Sequence, residues 1–473
     1  MHTVQLVTYP DSIGGSLKTL AEFLDTSMIS SFPSGLHILP PYPSSGDRGF
    51  APITYEEISP VFGSWTDIER LTDLCPVTMD IMVNHLSRKS AQFSDVLVHG
   101  TNSIYAQMFL SPSSIWKSEQ VLQDDLKKRI FLRREKPYST YQCRGGNEQL
   151  TFWTTFGSDD PSEQIDLDVN AEVTRTFYRH LMDTMEMHGI SCLRLDAVGY
   201  AIKKQKTNCF FVEPEIMEFI AWLKETATQR NIEILAEVHA PLPIQHTLAR
   251  AGIPNYDFAS PLLILDALIH HDATPLCSYL RNRPPHMITM LDCHDGIPVF
   301  PDVQGLITED RVVHIVDQAL ANGANLSTLY TTPESDHPIA KVHQINSTYL
   351  SALAANNDAM ICARAIQMFM PGRPQVYYVG LFGGLNDEKA REQQGDRRAV
   401  NRKNYTMEEI SRVRREPIVS KQLELVKLRN SHPAFQGNVH YEAEDSQLHI
   451  TWETPETKLT LSMDLSTYQW KIF

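Results

Sequence analysis

The chain has 473 residues, of which 42% are hydrophobic and 21% charged, an ordinary globular composition that leaves no large disordered fraction. Its 42 basic and 57 acidic residues give a formal net charge of −15. That excludes a nucleic-acid binder built on a basic surface, and any anionic substrate must find a local basic pocket against an unfavourable field.

The length suits one enlarged barrel with inserted and appended subdomains, or two to three separate domains. In chain order, eight short apolar runs read as strands: Val4–Pro10, Gly35–Pro41, Val77–Asn84, Ser191–Val198, Ile232–His239, Tyr256–Pro261, Met287–Asp295 and Pro374–Gly380. Most are followed by amphipathic stretches; Glu213–Arg230 is one such helix and leads directly into IEILAEVH. Eight β/α units predict a (β/α)8 TIM barrel, in the α/β class, with an open parallel sheet as the alternative that periodicity leaves. The barrel is expected over 1–84, 171–295 and 351–432. Two long excursions interrupt it: an inserted domain over 85–170 and an inserted loop domain over 296–350, the latter containing Pro333 to Pro338. From 433 to 473 the alternating runs VHYEAED, QLHITWET, KLTLSMDL and YQWKIF predict a small antiparallel β domain.

The seven cysteines, Cys75, Cys143, Cys192, Cys209, Cys277, Cys293 and Cys362, are scattered and never form C-x-x-C, so neither a zinc site nor a disulfide framework is expected. The opening MHTVQLVTYPDSIGG lacks a basic n-region and an apolar h-region, and no apolar run is long enough to span a membrane. The expectation is a soluble, cytoplasmic monomer or homodimer without nucleic-acid or membrane partners.

Catalytic groups in barrels sit at the C-terminal ends of strands. Here those ends carry Asp80-Ile-Met-Val-Asn84-His85, Arg194-Leu195-Asp196, Glu237-Val238-His239 and His294-Asp295. Each alone reads equally well as an ion-paired strand terminus, but four strand ends with the same habit predict one catalytic rim. Retaining cleavage of a glycosidic bond needs an ionised carboxylate and a protonated carboxyl about 5–5.5 Å apart. Arg194 shares a strand face with Asp196 by period 2 and would hold it ionised, while Glu237 must keep its proton to serve as the acid.

The blocks DxxxNH, RLDAVGY, EVH and HDG resemble the signature regions of the α-amylase superfamily of retaining glycosidases. More narrowly, the chain resembles the sucrose phosphorylase family through VQLVTYPDSIGG, HILPPYPSSGDRGFAPITY, MVNHLSR, EQIDLDVN, RLDAVGYAIKK, LDCHDGIPV, HQINSTY and PQVYYVGL, along nearly its whole length. The resemblance implies a glycosyltransferase-type phosphorylase that reversibly converts sucrose or sucrose 6′-phosphate and inorganic phosphate into α-D-glucose 1-phosphate. It implies Asp196 as nucleophile, Glu237 as acid/base and Asp295 as the carboxylate that grips sugar hydroxyls. Asp47, Phe50, His85, Phe156, Gln164, Arg194, His294 and Arg402 match positions lining the glucose subsite, with Asp47 and Arg402 as a clamp. Tyr200, His239 and Gln344 match the acceptor side.

Two loops depart from the family pattern: LRREKPY (Leu132–Tyr138) and DHPIAKVHQ (Asp336–Gln344). Sucrose phosphorylases typically have an acidic residue and a tyrosine where Lys341 and His343 stand. Arg134, Lys341 and His343 therefore predict an anionic acceptor, as in relatives acting on sucrose 6′-phosphate; solvated, idle charges are the alternative. Glucosylglycerol and glucosylglycerate phosphorylases stay open as alternatives, as do a hydrolase and a transglucosidase. Intact Asp196, Glu237 and Asp295 argue against an inert binding member. No cofactor is expected, and no metal: Asn84 alone matches a calcium ligand, and a calcium cage takes about six or more oxygens.

Overall fold

A computed structural model describes residues 4–25, 35–128, 130–144, 148–330 and 338–473. Pro333 of the inserted loop domain and Asp336 and His337 of the second acceptor loop lie outside the described residues. The described chain divides into two units, one holding 4–37, 239–328 and 338–473, the other 38–238 and 329–330.

Eight parallel strands arise where the sequence places them: β1 (Gln5–Thr8), β2 (Leu36–Ile38), β3 (Val77–Met82), β4 (Cys192–Asp196), β5 (Glu233–Ala236), β6 (Tyr256–Asp257), β7 (Ile288–Thr289) and β8 (Arg373–Tyr377). Their order in the sheet is β6-β7-β8-β1-β2-β3-β4-β5. From β6 round through β8 and β1 to β5, each strand thus lies beside the next in the chain, with β8 beside β1, which is the cyclic order of a (β/α)8 barrel. The fold is that barrel. Both faces of such a strand are covered, so β3 reads VTMDIM and all six residues are buried.

The helices take their bounds from local chemistry. Trp65–Leu74 starts at a capping box, with Ser64 and Asp67 satisfying each other's backbone N–H groups. The predicted fifth-strand helix is observed as Glu215–Thr228. At the C-terminus, β9 (Asn438–Glu444), β10 (Gln447–Glu453), β11 (Lys458–Asp464) and β12 (Gln469–Ile472) form a four-stranded antiparallel meander. In β10 burial alternates residue by residue, so one face packs inward, and Trp452 donates Nε1–H to the carbonyl of Phe369 at 2.7 Å.

Within 85–170, His85–Ser87 pairs antiparallel with Gln164–Asp166, and Tyr138–Gln142 with Gln149–Trp153. Phe93 meets Phe109, Tyr141 and Phe152 edge-on, giving this segment its own aromatic core. Within 296–350, Val342–Asn346 is the centre of a three-stranded antiparallel sheet between Ile297–Pro298 and Asn325–Thr328.

Arg364, on the buried helix Asn357–Phe369, donates from Nε to Gln422 at 2.8 Å and also bonds Gln367. Asp292, three residues beyond β7, accepts the N–H of Tyr349 at 3.4 Å. A Cβ on Gly380 would stand 2.9 Å from one Asp292 carboxylate oxygen, so the bare glycine makes room for this buried charge. Burial, only partly offset by the charge of Arg364, pushes the Asp292 carboxyl up to about 6. A carboxyl with a folded pKa above its unfolded value holds an extra proton in the native state. Its ionisation therefore costs stability as pH rises from about 4 to about 6, by up to ~3 kcal/mol. Asp292→Asn should flatten that limb of the Tm-against-pH curve, and an unchanged slope would remove Asp292 as its origin.

Candidate active site

In the unit holding 38–238, one guanidinium organises the strand ends. Asp80 on β3 pairs in register with Arg194 on β4, and Met82 with Asp196. Register partners on parallel strands share a face, so Asp80, Arg194 and Asp196 point the same way. Arg194, 3% exposed, bonds Asp80 through Nη1, Asp196 through the same nitrogen at 3.1 Å, and Glu237 through Nη2 at 2.6 Å. The other oxygen of Glu237 accepts the N–H of Ala197 at 3.0 Å. Ala197 holds a left-handed φ of 53°, which turns the chain sharply behind Asp196. Three buried carboxyl groups thus share one arginine. The sequence pairs Arg194 with Asp196 but leaves Asp80, fully buried, without a role.

Phe50 lies under this guanidinium, with the Arg194 Cζ 5.8 Å from its ring centroid. His85 bonds the Phe50 carbonyl through Nε2 at 2.8 Å, which fixes Nε2 as the donor. Burial holds the His85 imidazole below its usual pKa, so Nδ1 carries a lone pair, and it has no hydrogen-bond partner among the described residues. Gln164 Oε1 is buried and unpartnered in the same way. Asp47 is exposed, and it and Arg48 both adopt φ of 45° in the GDRGF turn, a left-handed pair that costs energy outside glycine. Half-buried Phe156 packs beside His85 and edge-on to Tyr200, with ring centroids at 5.6 and 5.2 Å.

The unit holding 239–328 and 338–473 carries the remaining candidates. Asp295 pairs with Arg398 at 3.0 Å and lies 3.5 Å from His294 and 3.7 Å from Arg402. Arg402 also bonds Asp396 at 3.2 Å and the His294 carbonyl at 2.9 Å. The glycine of HDG is dictated by contact: at φ 108°, a Cβ on Gly296 would lie 2.4 Å from the Ile345 carbonyl. His239 bonds Asp302 through Nδ1 at 2.9 Å, stacks on Phe258 at 3.8 Å and meets His343 edge-on at 4.8 Å. His343 is buried and donates Nδ1–H to the Phe300 carbonyl at 2.9 Å. Gln344 is buried, its Oε1 unpartnered among the described residues. Lys341 is exposed.

The first acceptor loop differs from the expectation in detail. Arg134 commits its nitrogens to the carbonyls of Phe156 and Asp159 and to Thr154 Oγ1, at 3.3, 2.8 and 3.3 Å, and so braces the turn behind Phe156. Its neighbour Arg133 lies against the Phe156 and Tyr200 rings, at 5.7 and 6.0 Å. Arg133, Arg398 and Asp302 escape the sequence reading; the basic run GDRRAVNRK around Arg402 is the one signal that points to Arg398.

Among the described residues no group of three or more His, Cys, Asp or Glu is arranged to hold a metal ion. Asn84 instead faces an ammonium. The buried Lys203 Nζ bonds Asn84 Oδ1 at 2.8 Å, and also Asp166 and the Tyr200 carbonyl. Three oxygens from the end of β3, from the inserted segment and from the turn after β4 converge on this one cation. No helix among the described residues is long and apolar enough to cross a membrane.

Residues 34–247 match the model of the alpha-amylase catalytic domain. The chain is 47% identical over 467 residues to the sucrose 6(F)-phosphate phosphorylase of Thermoanaerobacterium thermosaccharolyticum, covering 98% of this chain and 95% of that protein. It is 36% identical to the glucosylglycerol phosphorylase of Marinobacter adhaerens, covering 98% and 95%, and 37% identical to the sucrose phosphorylase of Streptococcus mutans, covering 94% and 90%. The crystal structure of sucrose 6F-phosphate phosphorylase from Thermoanaerobacter thermosaccharolyticum aligns with a TM-score of 0.95 at 47% identity, over 100% of this chain and 95% of that one. An alpha-amylase from H. orenii, 13% identical, aligns over 98% and 89% with a TM-score of 0.69 and shares the fold alone.

Replacing Lys203 by Met removes the one cation that pairs with buried Asp166 among the described residues. Breaking a buried pair from one side costs about 3–5 kcal/mol. Urea unfolding of Lys203→Met should show a loss of that order; a loss under about 1 kcal/mol would mean that Asp166 is compensated otherwise.

Proposed function

The chain belongs to the sucrose phosphorylase family of the α-amylase superfamily, and on that premise we propose that it catalyses the reversible phosphorolysis of sucrose 6′-phosphate. The products are α-D-glucose 1-phosphate and fructose 6-phosphate. The observation that carries its double-displacement chemistry is the single guanidinium of Arg194 held between Asp196 and Glu237. Two carboxyl groups bonded to neighbouring nitrogens of one arginine are close together, as direct attack by one of them on a sugar requires.

In the first displacement Asp196 attacks the anomeric carbon, the bond to the bridging oxygen breaks, and Glu237 gives that oxygen its proton. In the second, phosphate attacks the glucosyl ester, Glu237 takes up the nucleophile's proton, and Asp196 leaves as a free carboxylate. Two inversions restore the α configuration. Asp295 holds glucose hydroxyls, with Arg398 and Arg402 keeping it oriented. His85 Nδ1 and Gln164 Oε1 are acceptors suited to sugar hydroxyls, and Phe50 and Phe156 offer flat faces to the ring. Asp47, His294, Tyr200, His239 and Gln344 complete the donor and acceptor sides. His343 and Lys341, with Arg133 or Arg134, supply positive charge for the acceptor phosphate on an otherwise acidic protein. The name borne by the 47% identical relative supports the phosphorylated acceptor, whereas the 36% identical glucosylglycerol phosphorylase supports a neutral one.

Asp196→Asn should lower phosphorolysis by roughly 10³-fold or more with the fold intact. Activity within tenfold of the parent would refute the assignment.

Synthesis from α-glucose 1-phosphate should run fastest with fructose 6-phosphate when compared with fructose, glycerol and glycerate. His343→Ala should weaken fructose 6-phosphate binding about 10- to 150-fold, the equivalent of one charge-assisted hydrogen bond, and leave fructose nearly untouched. Arg133→Ala should show the same selectivity. Equal rates with fructose and fructose 6-phosphate in the parent would end the phosphate-acceptor reading.

A further inference from the structure

A basic cavity lies in the unit that carries the C-terminal strands. It encloses about 820 Å³, within the ~300–1,000 Å³ typical of small-molecule sites. Six side chains set its chemistry: Arg429, His286, His432, His440, Phe435 and Trp452. No Asp or Glu lines it, on a chain whose net charge is −15.

Arg429, on the helix Pro417–Ser431, is 4% exposed. It donates once, from Nη2 to the Gly372 carbonyl at 2.9 Å. Phe435 and Trp452 lie over the guanidinium, with its Cζ 4.6 and 5.2 Å from their ring centroids. Rings cover the faces of a guanidinium, whereas its N–H bonds point outward in its own plane. Nε and Nη1 have no hydrogen-bond partner, and no carboxylate pairs with the group among the described residues. Burial pulls this guanidinium down to about 10, with only the Tyr441 hydroxyl acting in the other direction. An unmatched buried cation is costly, and a well-placed anion would relieve it.

The imidazoles add to the site. His432 accepts the Ala434 N–H on Nδ1 at 3.2 Å, which leaves its proton on Nε2 as a donor. His286 and His440 stand exposed at the rim. His286 and Gly372 immediately precede the segments that open β7 and β8, so the cavity lies at the N-terminal end of β7, away from Asp295 beyond that strand's other end.

We propose that this cavity is a second anion site that binds a phosphate dianion, free or carried on a sugar, at the non-catalytic end of the barrel strands. Arg429 supplies the buried charge, held by Trp452 and Phe435, and the histidines supply the outer donors. Equilibrium dialysis of the full-length protein tests it, with inorganic phosphate in one arm and fructose 6-phosphate without a glucosyl donor in the other. The parent should bind one more equivalent of at least one ligand than Arg429→Met does. Because Arg429 is buried, the exposed double variant His286→Ala/His440→Ala provides a second measurement: it should bind that equivalent at least tenfold more weakly while keeping the parent kcat. The arm that shows the lost equivalent identifies the ligand. Unchanged stoichiometry and affinity in both variants would overturn the proposal, whatever the enzyme's catalytic acceptor proves to be.

Discussion

One guanidinium serving three buried carboxyl groups is the constraint around which the catalytic end of the barrel is arranged. Removing a carboxylate from water costs several kcal/mol even after relaxation, and neighbouring carboxylates repel one another. Arg194 balances one charge directly and is bonded to all three. This works because β3 and β4 are in register and Glu237 follows the next strand, so the four side chains meet without a loop having to deliver them. In the proposed cycle Asp196 surrenders its charge to an ester, yet Asp80 keeps the guanidinium anchored throughout. The reacting carboxylates therefore change state around a cation that need not move, which is the preorganisation that makes electrostatic catalysis effective.

The same economy appears in the polar atoms that lack partners. Buried acceptors are almost always satisfied in folded proteins. His85 Nδ1, Gln164 Oε1 and Gln344 Oε1 are exceptions among the described residues. The Phe50 carbonyl orients the His85 ring, and antiparallel pairing holds the backbone of Gln164 and of Gln344. Acceptors held this way favour a ligand rich in hydroxyl groups and discriminate against one that leaves them unmatched.

The barrel was legible because parallel strands buried on both faces leave short apolar runs that end abruptly in polar residues, as β3, β4 and β5 do. Asp196, Glu237 and Asp295 stood out for the same reason, each following such a run, although the part each takes in catalysis rests on proposal. Contacts between irregular segments were not legible. Asp302 holds His239 from 63 residues away, and nothing in either local pattern announces the pairing. Arg133 and Arg134 are adjacent in a loop without periodicity, so no spacing rule tells which one braces the turn and which lies against the aromatic rings. Lys203 read as part of a family block, and its contact with Asn84 and Asp166 depends on how the inserted segment folds back.

Lys203 carries a consequence for the medium in which such an enzyme works. Free phosphate drives phosphorolysis forward by mass action, and phosphate also sequesters the divalent cations that often cross-link loops to a barrel. Here the cross-link is an ammonium attached by its own side chain, so mass action has no ion to withdraw. Neither a chelator nor the co-substrate itself can loosen that joint, and the segment carrying Asp166 stays fastened at whatever phosphate concentration the reaction demands.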